Sequence, residues 1–311
     1  MSKPFLNYDE QITKLIGKGL IIDDEELAKE KLKEVGYYTL ITGYKDLFRN
    51  RVVGKYKRNV HFEDIYALYE LDKLLRELFF RYIQTIERTL GSNISYYFCE
   101  KFGSDQAKYL DSINYNNIVS NTNEISSLIG NLNKLANENT DYSNINYNRD
   151  RYNNVPLWIL VNHVTMGNKV KMYRCITSEV QSKISIEYPG LSEDSLEKVM
   201  RYITKFRNVC AHGNRLYNHK TRANMPDTII HEKLEIYIEG EQFVCGKRDL
   251  FGVVIACRYL LSKSDFRKFK MELNRAINSY LNSTSFLNEI EILNEMGFPE
   301  NWKKISKFHN Y

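Results

Sequence analysis

The stretch FEDIYALYELDKLLRELFFRYIQTIERTLGSNISYYFC, residues 62–99, decides the fold. Ile65, Leu68, Leu71 or Asp72, Leu75, Phe79, Tyr82 and Ile86 recur at three-to-four spacing. On a 3.6-residue period these positions line up along one side, so the stretch reads as a helix with one buried face. Gly91 falls inside it and predicts a bend or an interruption.

Working outward, Asp23 with Glu26 reads as a capping box that opens a helix running to Val35 and stopping at Gly36. Residues 36–58 read as helix and loop, rich in Tyr and cations. Residues 103–125 look loop-like, with a helix over Glu124–Asn137. The polar segment NENTDYSNINYNRDRYNN, about 137–154, has no apolar period and reads as a surface loop. Asn154-Val155-Pro156 opens a helix to Met166, and helices over Asn168–Ile176 and Glu193–His212 follow. Glu239-Gly240-Glu241, flanked by Leu234–Ile238 and Gln242–Cys245, is the one convincing hairpin signal. Three terminal helices are expected at Leu250–Ser262, Ser264–Leu281 and Ser285–Met296. The fold class is mostly α, one unit over 1–311 with an N-terminal helical extension of about 1–60 and a minor β-hairpin.

Composition narrows the function classes. The 311 residues are 43% hydrophobic and 27% charged, ordinary for a soluble globular protein with a sizeable core. No run of eighteen apolar residues and no signal peptide is visible, which implies a cytoplasmic protein with no membrane partner. Five cysteines (Cys99, Cys175, Cys210, Cys245, Cys257), widely spaced and without a C-x2-C pair, argue against a disulfide framework or a zinc knuckle. A net charge of +5 is compatible with nucleic acid without demanding it. Basic residues cluster in Arg49–Arg51, Lys55–Arg58 and Arg201–Arg215. The 23 tyrosines offer stacking surfaces, although an AT-rich coding sequence accounts for the Tyr and Asn abundance better than RNA binding does.

Chemistry concentrates in FRNVCAHGNRLYN, residues 206–218. A cation to hold a phosphate and an imidazole to move protons are what RNA cleavage without a metal requires. On a helix over 196–212, Val199, Ile203, Phe206 and Cys210 form one apolar stripe. Arg201, Lys205, Asn208 and His212 fall on the opposite side. That polar stripe is either a catalytic face or an ordinary solvated one. Arg207 lies about 140° from His212 on an ideal helix. The helix end distorts, or Arg207 reaches round, or it faces a subunit interface; a structural pairing with a carboxylate of a neighbouring helix is equally open. His163 reads as a hydrogen-bonded core residue, and His219 and His231 lack partners at metal-ligand spacing, so no metal site and no cofactor is expected. Cys210, on the apolar stripe, reads as a core thiol rather than a nucleophile. Glu87-Arg88 reads as a structural ion pair or as support for the site from a second helix.

The R-x4-H pattern of Arg207 to His212 resembles the signature of HEPN-superfamily ribonucleases, and RNVCAHGNRLYN is similar to the AbiD/AbiF-like abortive-infection proteins of bacteria (Abi_2 type). Further stretches agree in order. They are Lys18-Gly19-Leu20 with Asp23-Asp24, Gly36-Tyr37-Tyr38 through Gly43-Tyr44, and Asp64-Ile65-Tyr66-Ala67-Leu68-Tyr69. Ile86-Glu87-Arg88, Pro156-Leu157-Trp158 with Gly167, and Met296-Gly297-Phe298-Pro299 complete the set.

This resemblance implies a HEPN-like helical bundle with extra helices. It also implies a metal-independent endoribonuclease of phage defence, assembled as a homodimer with a composite site and restrained by a partner, a small structured RNA in some relatives. Arg207 would clamp the phosphate, His212 act as general base or acid, and Asn208 orient either of them. Attack by a 2′-hydroxyl would leave a 2′,3′-cyclic phosphate, so DNA would be a poor substrate. Lys205, Arg201, Arg215, Tyr217, Lys57 and Arg58 are candidates for holding or stacking RNA. Two alternatives remain: a non-catalytic protein that holds a structured small RNA with the same cations, and a protein-interaction scaffold.

Overall fold

The computed structural model describes residues 4–116 and 122–308. Its helices, in chain order, are α1 (Tyr8–Ile16), α2 (Glu25–Val35), α3 (Phe62–Phe102), α4 (Gln106–Leu110), α5 (Thr122–Asn137), α6 (Ser143–Tyr152) and α7 (Leu157–Leu160). They continue as α8 (Met166–Cys175), α9 (Ser178–Ile186), α10 (Glu193–Ala211), α11 (Ile229–Lys233), α12 (Leu250–Leu260), α13 (Lys263–Ser283) and α14 (Glu289–Glu295). Short 3₁₀ and π turns link several of them. The fold is mostly α, with one small antiparallel pair, β1 (Ile238–Glu239) and β2 (Gln242–Phe243), in the register Ile238↔Phe243.

Helix α3 is the axis of the molecule. Ile65, Leu68, Leu75, Phe79, Ile83, Ile86, Leu90, Ile94 and Phe98 are essentially inaccessible along its length. Helices α13, α10, α9, α8, α7 and α12 all pack against it. Burying each such side chain contributes about 1.5–3 kcal/mol relative to leaving it in water. One apolar cluster runs from Ile12 to Ile305.

Several sequence expectations need correction. Gly91 does not interrupt α3, which runs unbroken for 41 residues. A Cβ at Gly91 would lie 3.2 Å from Lys169 Cε and 3.3 Å from Val161 Cγ2, so the glycine makes room for a neighbouring side chain. The helix after residue 23 is capped by Asp24, whose carboxylate accepts from Leu27 N at 2.9 Å; Asp23 instead pairs with His61. Gly36, at φ +87°, ends that helix.

The supposed surface loop at 137–154 contains α6. Only Ile145 of this helix is buried, so no apolar period marks it. Polar bonds hold it instead. Arg149 donates to Glu138 O (2.6 Å), Asn139 Oδ1 (3.1 Å) and Asn146 Oδ1 (3.0 Å), and Asn146 Nδ2 donates to Thr140 O (2.6 Å). The helix expected from Asn154 to Met166 is a short α7 and a 3₁₀ turn, Val161–His163; a new helix starts at Thr165, whose side chain accepts from Asn168 N. Within the supposed loop 103–125, α4 and a 3₁₀ turn at Ser112–Asn114 form, and residues 117–121 lie outside the described residues. The hairpin strands are only two residues each.

Candidate functional site

Helix α10 carries the R-x4-H residues. Ser192 caps it by accepting from Ser195 N at 3.2 Å, and Glu193 and Asp194 in the first turn complement the helix dipole. Val199, Ile203 and Phe206 are fully buried and fix its rotation about its axis. Arg201, Lys205 and Asn208 are consequently exposed, in a row at three-to-four spacing that His212 extends. His212 itself has left the helix: it is the C-cap, with φ −91° and ψ 5°, and its backbone N–H donates to Asn208 O at 3.0 Å. Gly213 follows at φ +65°, a left-handed position where a side chain would be strained, and turns the chain sharply. The helix end therefore does distort at the motif. His212 presents an exposed imidazole that takes no hydrogen bond among the described residues.

Arg207 points elsewhere, into α3. Its Nε lies 3.6 Å from Glu87 Oε2, and its guanidinium sits 5.5 Å from the centre of the Phe80 ring. Phe80 and Glu87 are two helical turns apart on one face of α3. The second oxygen of Glu87, Oε1, lies 3.5 Å from Lys169 Nζ of α8. Lys169 is 3% exposed and Glu87 9%, whereas the Arg207 side chain keeps 30% of its surface in solvent. Burial pushes the Lys169 ammonium below its usual range; Glu87 opposes that shift, while Arg207 and Arg88 reinforce it. Two cations thus share one carboxylate. Arg207 Nε is buried yet makes no hydrogen bond among the described residues. A half-exposed guanidinium with surplus positive charge behind it is well suited to an anion.

The segment after His212 is held by a different carboxylate. Asp72, fully buried on α3, accepts from Leu216 N (3.0 Å), Tyr217 N (2.6 Å) and Tyr44 Oη (2.7 Å), and it pairs with Arg76. Burial pushes this carboxyl up, and Arg76, Tyr44 and the two amides pull it back down. Arg215 donates to Gly43 O and lies 6.0 Å from the Tyr217 ring. Tyr217 is fully buried and stacks on Tyr44, with centroids 5.9 Å apart. The expectation that Tyr217 offers a stacking face to RNA therefore fails in this conformation, because no face of the ring reaches solvent. Arg215, half-buried, braces the turn through its bond to Gly43 O. These two residues build the site's support.

The remaining candidates scatter. Lys57 and Arg58 are exposed in a loop, Lys57 lying 5.8 Å from the Phe286 ring, and among the described residues no bond or ring contact joins either to α10. His163 is half-buried rather than a core residue. It stacks on Tyr142 at 3.9 Å and bonds Asn144 Oδ1 at 3.0 Å. His219 packs edge-on against Phe206, and His231 is wholly buried between Thr228 and Gly246 O. Burial pushes both imidazoles down. The Cys210 thiol is pushed up to about 12 by burial, with the Asp72 charge adding to the effect, which leaves it a poor nucleophile at neutral pH. Among the described residues, Asp23, His61 and Glu63 bring possible metal-ligand atoms within 4.8 Å of one another, but Asp23 already holds the imidazole at 2.6 Å. No described helix is long and apolar enough to cross a membrane.

Glu87 and Lys169 complete this cluster. The first stands in the sequence beside Arg88 as a visible charged pair. The second carries no sequence signal, standing in the mixed helix MGNKVKMYRC beside a second lysine. No curated protein and no solved structure matches the chain. Residues 30–218, which contain α3, α8, α10 and the turn after His212, match the family model described as Abi-like protein. With more than half of its length matched, this chain belongs to the Abi-like protein family.

Proposed function

We propose that the chain is a metal-independent endoribonuclease of the HEPN type, acting in bacterial abortive-infection defence as a homodimer under restraint by a partner. Membership of the Abi-like family supports the defence role. The observation that carries the chemistry is the sharing of Glu87 by Lys169 and Arg207, which leaves surplus positive charge beside the end of α10, where Asn208 and His212 are exposed.

The reaction follows from those groups. A ribose 2′-oxygen attacks the adjacent phosphorus while an imidazole takes its proton. The P–O5′ bond breaks, and a second imidazole returns a proton to the leaving 5′-oxygen. The products are a 2′,3′-cyclic phosphate and a 5′-hydroxyl. Arg207 neutralises the charge that develops on the phosphoryl oxygens, and Asn208 orients phosphate or imidazole. One chain offers a single His212 at the helix end, and its Arg207 faces α3. A site joining two copies of α10 supplies two imidazoles and two guanidiniums. Arg201 and Lys205, exposed on the same row, hold flanking phosphates.

A second reading, a protein that holds a structured RNA without cutting it, is favoured by that same exposed row and by Arg207 already having a carboxylate partner. The test is incubation of purified full-length protein with total RNA and tRNA in EDTA, beside His212→Ala. Cleavage leaving cyclic-phosphate ends, reduced by about a hundredfold or more in the variant, is expected. Equal cleavage by both proteins refutes the role of His212. No cleavage, with one defined RNA bound equally by both, refutes the free enzyme; cutting once that RNA is stripped marks a repressed nuclease, and continued inactivity establishes the second reading.

A further inference from the structure

Away from α10, a cavity of about 600 Å³ opens between α13, the end of α12 and the 3₁₀ turn Trp302–Lys307. It lies outside residues 30–218, so nothing in the family match describes it. Among the described residues six cations line it, Arg258, Lys263, Arg267, Lys270, Arg275 and Lys303, and no carboxylate does.

Lys303 pairs with Glu289 at 2.8 Å and Arg258 donates to Phe308 O at 2.8 Å, but the cations of α13 are poorly compensated among the described residues. Lys263, Arg267 and Arg275 are exposed and form no ion pair among the described residues. Among the described residues Lys270 bonds only neutral groups, the carbonyl of Lys303 and Ser306 Oγ (2.8 Å). Burial, with Lys303 and Lys307 adding to it, pushes the Lys270 ammonium down. The acids of α13 are turned away: Asp265 takes a bond from Ser262 Oγ at 2.8 Å, and Glu272 pairs with Arg81 and accepts from Tyr82 Oη at 2.8 Å, both on α3. Lys263 and Arg267 are four residues apart on one helix face, a like-charge spacing that destabilises a helix until an anion sits between them.

Simple phosphate would not use the rest of the wall. Met271, 45% exposed, supplies apolar surface, while Phe266, 3% exposed, backs the wall with the Arg258 guanidinium 5.4 Å from its ring centre. Asn274 lines the cavity too, and its Oδ1 is buried without a hydrogen-bond partner among the described residues. A turn of that amide toward the cavity would let a ligand amino or hydroxyl group satisfy it. The volume falls within the range of small-molecule sites.

We infer that this cavity binds a nucleoside polyphosphate, its phosphates among the cations of α13 and its base against Met271 and Asn274. A cavity of this volume matches one such molecule.

The test is calorimetric titration of full-length His212→Ala protein with ATP, with AMP and tripolyphosphate as parallel probes. Using that background keeps the result independent of nuclease activity. ATP should saturate the protein, and both other probes should bind at least about tenfold more weakly, since each lacks charge or base. Adding Arg267→Gln and Arg275→Gln, both exposed positions, should weaken ATP by about a hundredfold with an unchanged melting curve. Absence of ATP binding at millimolar concentration overturns the inference. So does unchanged affinity in the variant, tripolyphosphate binding as tightly as ATP, or binding of a short RNA in place of ATP.

Discussion

Replacing Glu87 by Gln keeps the shape and removes the charge that Lys169 and Arg207 share. At an effective dielectric of about 20, a unit charge 3.5 Å away is worth about 4.7 kcal/mol, and one at 3.6 Å nearly the same. The Arg207 side chain, 30% exposed, recovers most of its share from water; that of Lys169, 4% exposed, cannot. Deprotonation limits the loss, because discharging a lysine with an ordinary value of 10.5 at pH 7 costs about 4.8 kcal/mol.

The variant should therefore lose about 3 kcal/mol, within the range for removing one partner of a buried pair. For a chain of this length that lowers the melting midpoint by about 5 °C. The pH dependence has a definite sign. The folded Lys169 value is already lowered and falls further without Glu87, so the unfolded chain binds more protons at every pH between that value and 10.5. The deficit should shrink as pH rises from 7 toward 10, and Lys169→Met in the Gln background should restore most of it. Urea denaturation at pH 7 and pH 9.5 measures both effects. A Glu87→Gln protein as stable as wild type at pH 7, or a deficit indifferent to pH, would refute the shared-carboxylate account.

Asp72→Asn should cost about 2–4 kcal/mol and strip hydrogen-exchange protection from the Leu216 and Tyr217 amides, since both donate to that carboxylate; persistent protection would contradict the clamp. Tyr217→Phe should leave stability unchanged or raise it by up to about 1 kcal/mol, because the phenolic oxygen is buried with no partner among the described residues; a thermal melt decides. Burial pushes the Asp249 carboxyl up to about 6, from 3.8, while it accepts from Gly246 N and Gly252 N. A raised folded value contributes stability that is present at low pH and lost as pH rises through 6. Wild type should therefore gain about 2 kcal/mol over Asp249→Asn between pH 7 and pH 4.5, read from paired denaturation curves. Finally, if each composite site needs both imidazoles, mixing wild type with a threefold excess of His212→Ala should cut the rate per wild-type protomer to about a quarter; an unchanged rate would mean that each chain cuts alone.

Legibility in the sequence followed burial. The α3 stripe and the apolar side of α10 could be read because helices packed against a core must repeat their apolar residues. Helix α6 could not, since Arg149 and Asn146 hold it with polar bonds that leave no period. Gly91 carried the wrong meaning for a related reason. A glycine inside a helix signals either a break or a close neighbour, and only the position of Lys169, remote in sequence, reveals the second. At the site, the exposed row Arg201, Lys205, Asn208 and His212 follows from helical spacing alone. The burial of Tyr217 does not, because it depends on Asp72 and Tyr44 far away in the chain.

The short motif on α10 is thus held at both ends by carboxylates of α3, Glu87 on Arg207 and Asp72 on the amides beyond Gly213. Fifteen positions separate these acids along a continuous helix, which makes α3 the rigid element that sets the motif's geometry. A structural role for Arg207 and a phosphate-binding role are then compatible. Glu87 restrains the guanidinium at Nε, while the partly exposed side chain leaves room for an incoming anion. A freely rotating arginine would lose more side-chain entropy on gripping the same phosphate. The structural pairing and the proposed chemistry are therefore two consequences of one arrangement, in which α3 positions the charge and α10 exposes the imidazole.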